Sequence, residues 1–207
     1  MMRLRNLMIG ATIAPFAAPG FARAAAAPAA APAAMFGPKP GIALLSRNEN
    51  PYGPSPRALI AAEAATAKGA YYADDAQAVL IKMIADKYGV SPDQVVVGTG
   101  SGEVLNAIAL AWKDKGAYLA PELFWDTTAQ WGVKHGGTLK TVPLTAAMEV
   151  DLAGMAAALD PSIGLVHIVN PNNPTGLLLD GDTPRGFIKA AAPKATVLID
   201  EAYNELV

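Results

Sequence analysis

Asn173, Asp200 and Tyr203 put an amide, a carboxylate and a phenol close together in sequence order. Together they could grip a flat, polar, cationic ring. Asp200 closes the apolar run Thr196–Ile199, where a carboxylate is costly to desolvate unless it meets a cation or hydrogen-bond donors. A protonated ring nitrogen is one such partner, and Asn173 and Tyr203 could share a ring oxygen. Plainer readings stand beside these: Asp200 as a helix cap and Asn173 as a turn-former. A second stretch is Gly98-Thr99-Gly100-Ser101-Gly102-Glu103, whose glycines allow close backbone approach ahead of a helix N-terminus suited to an anion. It reads equally as a phosphate cradle or a plain tight turn. Glu103 at its sixth position departs from the dinucleotide fingerprint, and no lysine follows as a Walker loop requires. Thr99 likewise rules out a Gly-x-Ser-x-Gly nucleophile elbow at Ser101.

These residues need elements to hold them. The apolar run Ile163–Val169 reads as a strand ending in an Asn/Pro/Gly turn, since Pro171 and Pro174 cannot donate to a ladder. A helix over 184–192 and a strand over 196–199 follow. Two parallel strands would then present Asn173, Asp200 and Tyr203 at the sheet edge where ligands of open α/β sheets bind. Upstream, Ser55 and Pro56 start a helix that Gly69 closes, and a helix over 75–88 ends at Gly89. Its Val79, Leu80, Met83 and Ile84 recur at helical spacing and predict a buried face. Strands are expected at 95–97, 117–119 and 138–142, with helices at 104–112, 125–135 and 151–159, the last capped by Asp151. Strands alternating with helices indicate a three-layer α/β/α fold with a mostly parallel sheet.

The 207 residues carry a net charge of −2, and no basic block or stripe points to nucleic acid. Without cysteine, disulfides, thiolate metal sites and cysteine nucleophiles are excluded. The two histidines, His135 and His167, lack a second ligand at metal-site spacing, and His167 reads as a core residue of its strand. Residues 1–34 read as a leader. Arg3 and Arg5 precede an interrupted apolar stretch over 7–21, Ala22-Arg23-Ala24 fits a cleavage site, and an Ala/Pro linker follows. That stretch is too short and too broken by proline to span a bilayer. Export to the periplasm is expected, by the Sec or twin-arginine route. Residues 35–70 would form an arm and first helix, and 71–207 a larger, partial domain.

Asn172-Asn173-Pro174-Thr175-Gly176 followed by Asp200-Glu201-Ala202-Tyr203 resembles the fold-type I pyridoxal-phosphate aminotransferases. Asn48-Glu49-Asn50-Pro51-Tyr52-Gly53-Pro54, Tyr72-Ala73-Asp74-Asp75 and Gly100-Ser101-Gly102-Glu103 are similar to the histidinol-phosphate aminotransferase branch. The resemblance covers residues 42–207. It implies that Ser101 and Gly102 hold the phosphate of pyridoxal 5'-phosphate, that Asn173 and Tyr203 bond its ring oxygen, and that Asp200 pairs with its ring nitrogen. Tyr72 would reach the phosphate of a neighbouring subunit, making a homodimer the functional unit, and Tyr52 would line the substrate pocket. An aromatic residue stacks on the ring soon after a proline like Pro121. Leu123 holds that slot, with Phe124 and Trp125 next, and Trp125 is carried forward as the stacking residue.

The implied reaction moves an amino group between an amino acid, such as a histidinol-phosphate-like one, and a 2-oxo acid. Departures accompany the likeness. Gly102-Glu103 replaces an Asp-Glu pair, and the Schiff-base lysine would lie beyond Val207. The chain is therefore expected to be an N-terminal portion, inactive by itself. A decarboxylase or lyase of the same fold, or a non-catalytic fragment serving only cofactor binding or dimerisation, are the alternatives.

Overall fold

The computed structural model describes residues 37–179 and 181–207, so the expected leader lies outside the described residues. The chain divides between Lys68 and Gly69 into two compact units. In the first, helix α1 (Pro56–Thr66) starts where Pro56 follows the N-cap Ser55, whose Oγ accepts from the Ala58 amide at 3.2 Å. It ends at Ala67, short of Gly69.

The second unit runs α2 (Ala76–Tyr88), α3 (Ser101–Trp112), β1 (Ala117–Pro121), α4 (Thr127–Lys134), β2 (Leu139–Val142), α5 (Leu152–Ala158), β3 (Ile163–Val169), α6 (Asp182–Ala191) and β4 (Thr196–Asp200). All strand pairs are parallel, in the order β2-β1-β3-β4. Gly89 ends α2 in the left-handed region at φ 67°, and Asp151 caps α5 by accepting from the Gly154 amide at 2.8 Å. No helix among the described residues is long and apolar enough to cross a membrane.

Two apolar layers sandwich the sheet, because central parallel strands must be covered on both faces. On one face, Leu119, Val166 and Ile168 pack with Leu152 and Met155 of α5 and Phe187 and Ala191 of α6. On the other, Tyr118, Ala120, Leu165 and Val169 pack with Phe124, with Ala129 of α4, and with Ile108 and Trp112 of α3. Tyr118 organises this second layer. Its buried hydroxyl donates to the Ala109 carbonyl at 2.5 Å, and its ring lies against the backbone of α4 at Gly132. A Cβ at Gly132 would stand 2.4 Å from that ring.

Two expectations fail. Residues 95–97 are not a strand. Val95 is extended (φ −114°, ψ 125°), yet no ladder partner exists among the described residues, and Val96 is exposed. Nor does α2 bury the face read from its spacing. Val79, Leu80 and Met83 are 58%, 44% and 63% exposed, while Ala85 is buried and Ile81 and Ile84 are half-buried. Helical spacing identifies an apolar stripe but not the neighbour that covers it.

His167 is buried as read, but at a cost. Its ring, 1% exposed, meets Phe124 edge-on at 5.2 Å between centroids, and neither nitrogen has a hydrogen-bond partner among the described residues. Burial pushes its pKa down to about 4. The folded protein thus resists a proton that the unfolded chain takes up near its ordinary pKa of about 6.5. This contribution to stability is intact above pH 6.5 and shrinks as pH falls toward 4, by ~3 kcal/mol in all. Urea unfolding at pH 7 and pH 4.5 should show His167→Phe flattening that acid loss. An unchanged pH slope would count against it. Gly132→Ala should cost about 2–3 kcal/mol through overpacking against the fixed Tyr118 ring. Gly186→Ala in α6, with open space at its Cβ, should cost nothing in the same urea titration, and equal effects would refute the packing account.

Candidate functional site

β3 and β4 end in register, with Val169 opposite Asp200, and the Asn170 amide extends the ladder to the Asp200 carbonyl at 2.9 Å. The chain then turns through two cis peptides, Asn170–Pro171 and Asn173–Pro174. Side-chain amides hold the turn together. Asn170 accepts from the Leu179 amide through Oδ1 at 2.8 Å and donates to the Leu179 carbonyl at 3.0 Å. Asn172, 3% exposed, donates through Nδ2 to Thr175 Oγ1 at 3.0 Å and to the Leu123 carbonyl at 3.2 Å. The second bond ties the loop after β1 to the loop after β3.

Asn173 and Tyr203 come together: Asn173 Nδ2 donates to the Tyr203 hydroxyl at 3.3 Å, both side chains being half-buried. Asp200, 8% exposed, accepts from the Ala202 amide through Oδ1 at 3.2 Å. Its Oδ2 receives no donor from the described residues. The amide–phenol pair and the carboxylate therefore stand at the carboxyl end of β3 and β4.

The glycine-rich turn lies at the start of α3. At its far end Trp112 Nε1 donates to Thr196 Oγ1, at the start of β4, at 3.0 Å. Thr196, Leu198 and Asp200 share one face of β4, because side chains alternate along a strand. The helix packs on the apolar layer of that face through Ile108 and Trp112. At its start Gly100, at φ 74°, adopts a backbone conformation that other residues resist, and Ser101 and Gly102 open the helix on the surface. The unpaired amides of such a first turn favour an anion.

The remaining candidates are exposed. Tyr72 is 94% exposed ahead of α2, and Trp125 is 47% exposed in the loop after β1. Tyr52 belongs to the first unit, in a turn where Asn50 Oδ1 accepts its amide at 3.0 Å, and its ring is 93% exposed. Sequence reasoning missed Asn172, which ties the two loops, and Phe124, which is buried over His167. Asn172 sits among turn residues, and its burial depends on a carbonyl 49 positions away. Among the described residues no cluster of three His, Asp or Glu could hold a metal ion.

Comparison with known proteins finds relatives of this chain. The family model for Aminotransferase class I and II matches residues 40–207. Histidinol-phosphate aminotransferase from Moorella thermoacetica is 36% identical over 165 residues, 79% of this chain and 42% of that protein. Histidinol-phosphate aminotransferase 1 from Dechloromonas aromatica is 38% identical over 170 residues, covering 80% and 45%. The crystal structure of histidinol-phosphate aminotransferase from Sinorhizobium meliloti, in complex with pyridoxal-5'-phosphate, superposes with a TM-score of 0.69 at 31% identity. That match covers 76% of this chain and 43% of that one. The chain thus spans less than half the length of these relatives. A parallel sheet with Asn173, Asp200 and Tyr203 at one edge and a family match over residues 40–207 lead to one conclusion: the chain belongs to the class I and II aminotransferase family.

Proposed function

We propose that this chain is the cofactor-binding portion of a pyridoxal-phosphate-dependent aminotransferase that acts on a histidinol-phosphate-like amino acid and a 2-oxo acid. The observation that carries the reading is the Asn173–Tyr203 contact, made by the segments that follow β3 and β4 where Asp200 closes β4. This donor set fits the group. Asp200 Oδ2 would accept a ring N–H, and its negative charge would keep that nitrogen protonated. Asn173 Nδ2 and the Tyr203 hydroxyl lie side by side for the ring oxygen, and the amides of Ser101 and Gly102 hold the phosphate. When bound, pyridoxal phosphate supplies an electron sink for the pair released at the amino acid's α-carbon. The names of the relatives support the substrate class.

We read none of the lysines of this chain as the covalent link. Lys194 lies exposed in the turn before β4, at the end of the strand opposite Asp200, with about 13 Å of strand between Thr196 and Asp200. The cofactor would be held here without a covalent bond. The purified chain should bind pyridoxal phosphate saturably, and Asp200→Ala should weaken binding about ten- to a hundredfold, the worth of one charged hydrogen bond. Borohydride should leave no reduced adduct on any lysine in peptide mass spectrometry. Undiminished affinity in Asp200→Ala would overturn the site, and a trapped lysine would overturn non-covalent binding.

The active unit is proposed to be a homodimer in which Tyr72 reaches the neighbouring subunit's phosphate. The exposed stripe Val79, Leu80 and Met83 on α2 supports this, because isolated protomers seldom leave such a helical stripe uncovered. Sedimentation should find a dimer that Met83→Lys converts to a monomer. A monomeric parent chain would contradict the proposal.

A further inference from the structure

Glu103 lies in the first turn of α3, one residue past the amides assigned to the phosphate, and its side chain turns back rather than outward. Its Oε2 accepts the Thr99 amide at 2.5 Å. The same oxygen stands 3.1 Å from where a Cβ on Gly98 would be. The carboxylate therefore spans the turn from the helix side, while the Gly100 amide donates to the Gly98 carbonyl at 2.8 Å from within it. Two bonds set the path from Gly98 to Ser101, and one of them is a side chain. A helix-start glutamate ordinarily reaches back to the N-cap amide. Here the N-cap is Gly100, and Glu103 reaches the residue before it.

The placement has a chemical consequence. A flexible Gly-Thr-Gly-Ser-Gly run loses more conformational freedom on ordering than other sequences, which weakens binding of any ligand that must order it. Glu103 orders it beforehand. Its carboxylate also puts a negative charge beside a phosphate, which opposes binding. The observed bond decides between these roles, because the charge is committed to the Thr99 N–H. That bond is the main reason the Glu103 carboxyl is held below its ordinary pKa.

We infer that Glu103 is a positioning residue that fixes the Gly98–Ser101 turn so that the Ser101 and Gly102 amides converge on a phosphate. The inference rests on the proposed reading of this turn as the phosphate end of the cofactor site. Glu103 touches no cofactor atom in this role, and its effect is specific to the phosphate.

The test compares pyridoxal phosphate with pyridoxal, which lacks the phosphate, on the full chain carrying Glu103→Ala or Glu103→Gln. Glu103→Ala should weaken pyridoxal phosphate binding about tenfold, leave pyridoxal binding unchanged, and speed amide hydrogen exchange at Thr99. Glu103→Gln keeps an acceptor and should restore both affinity and protection. Equal weakening toward the two ligands, or tighter phosphate binding in both variants, would overturn the inference while leaving the cofactor reading intact. Failure of the parent chain to bind either ligand would overturn the cofactor reading, and this inference with it.

Discussion

The register between β3 and β4 is the constraint on which the rest of the second unit depends. With Val169 opposite Asp200, both strands end together and their following segments leave the sheet at one edge. A shift of one residue would turn Asp200 to the opposite face, away from α3 and toward the layer of α5 and α6. The shift would also bring Leu198 out of its apolar layer. Core packing and site geometry are therefore fixed by the same alternation.

The loops are held by polar side chains rather than by the sheet. Asn170, Asn172 and Thr175 satisfy the backbone of a turn in which two prolines lack amide donors. Asn172 does this while buried, and its Oδ1 has no donor in the protein. Buried polar networks of this kind give a unique arrangement where they are satisfied and are costly where they are not. His167, inside β3, adds further unsatisfied polar atoms. Each such group gives up stability that an apolar side chain would have kept.

Local chemistry was the legible part. Ser55, Asp151 and Gly89 act through bonds or dihedrals within a few residues, and each does what its type dictates. The buried parallel strands were legible because their apolar runs are continuous. The contact between Asn173 and Tyr203 follows from two strands ending together, which spacing suggests. Distant partners were not legible. Val95 to Val97 have strand-forming side chains but no ladder, since pairing depends on what lies alongside. The α2 stripe is visible in spacing, yet its exposure is a property of the neighbours. Phe124 over His167 joins residues 43 positions apart, and no local pattern encodes that contact.

β4 stands at the margin of the sheet, and among the described residues it pairs only with β3. Among the described residues its outer side has no ladder partner along Thr196-Val197-Leu198-Ile199, a β-branched and apolar run with no proline and no charge before Asp200. Native proteins guard such margins with lysines, bulges or short strands, and none of these interrupts this one. A margin of this kind is a template on which another extended segment can pair strand to strand.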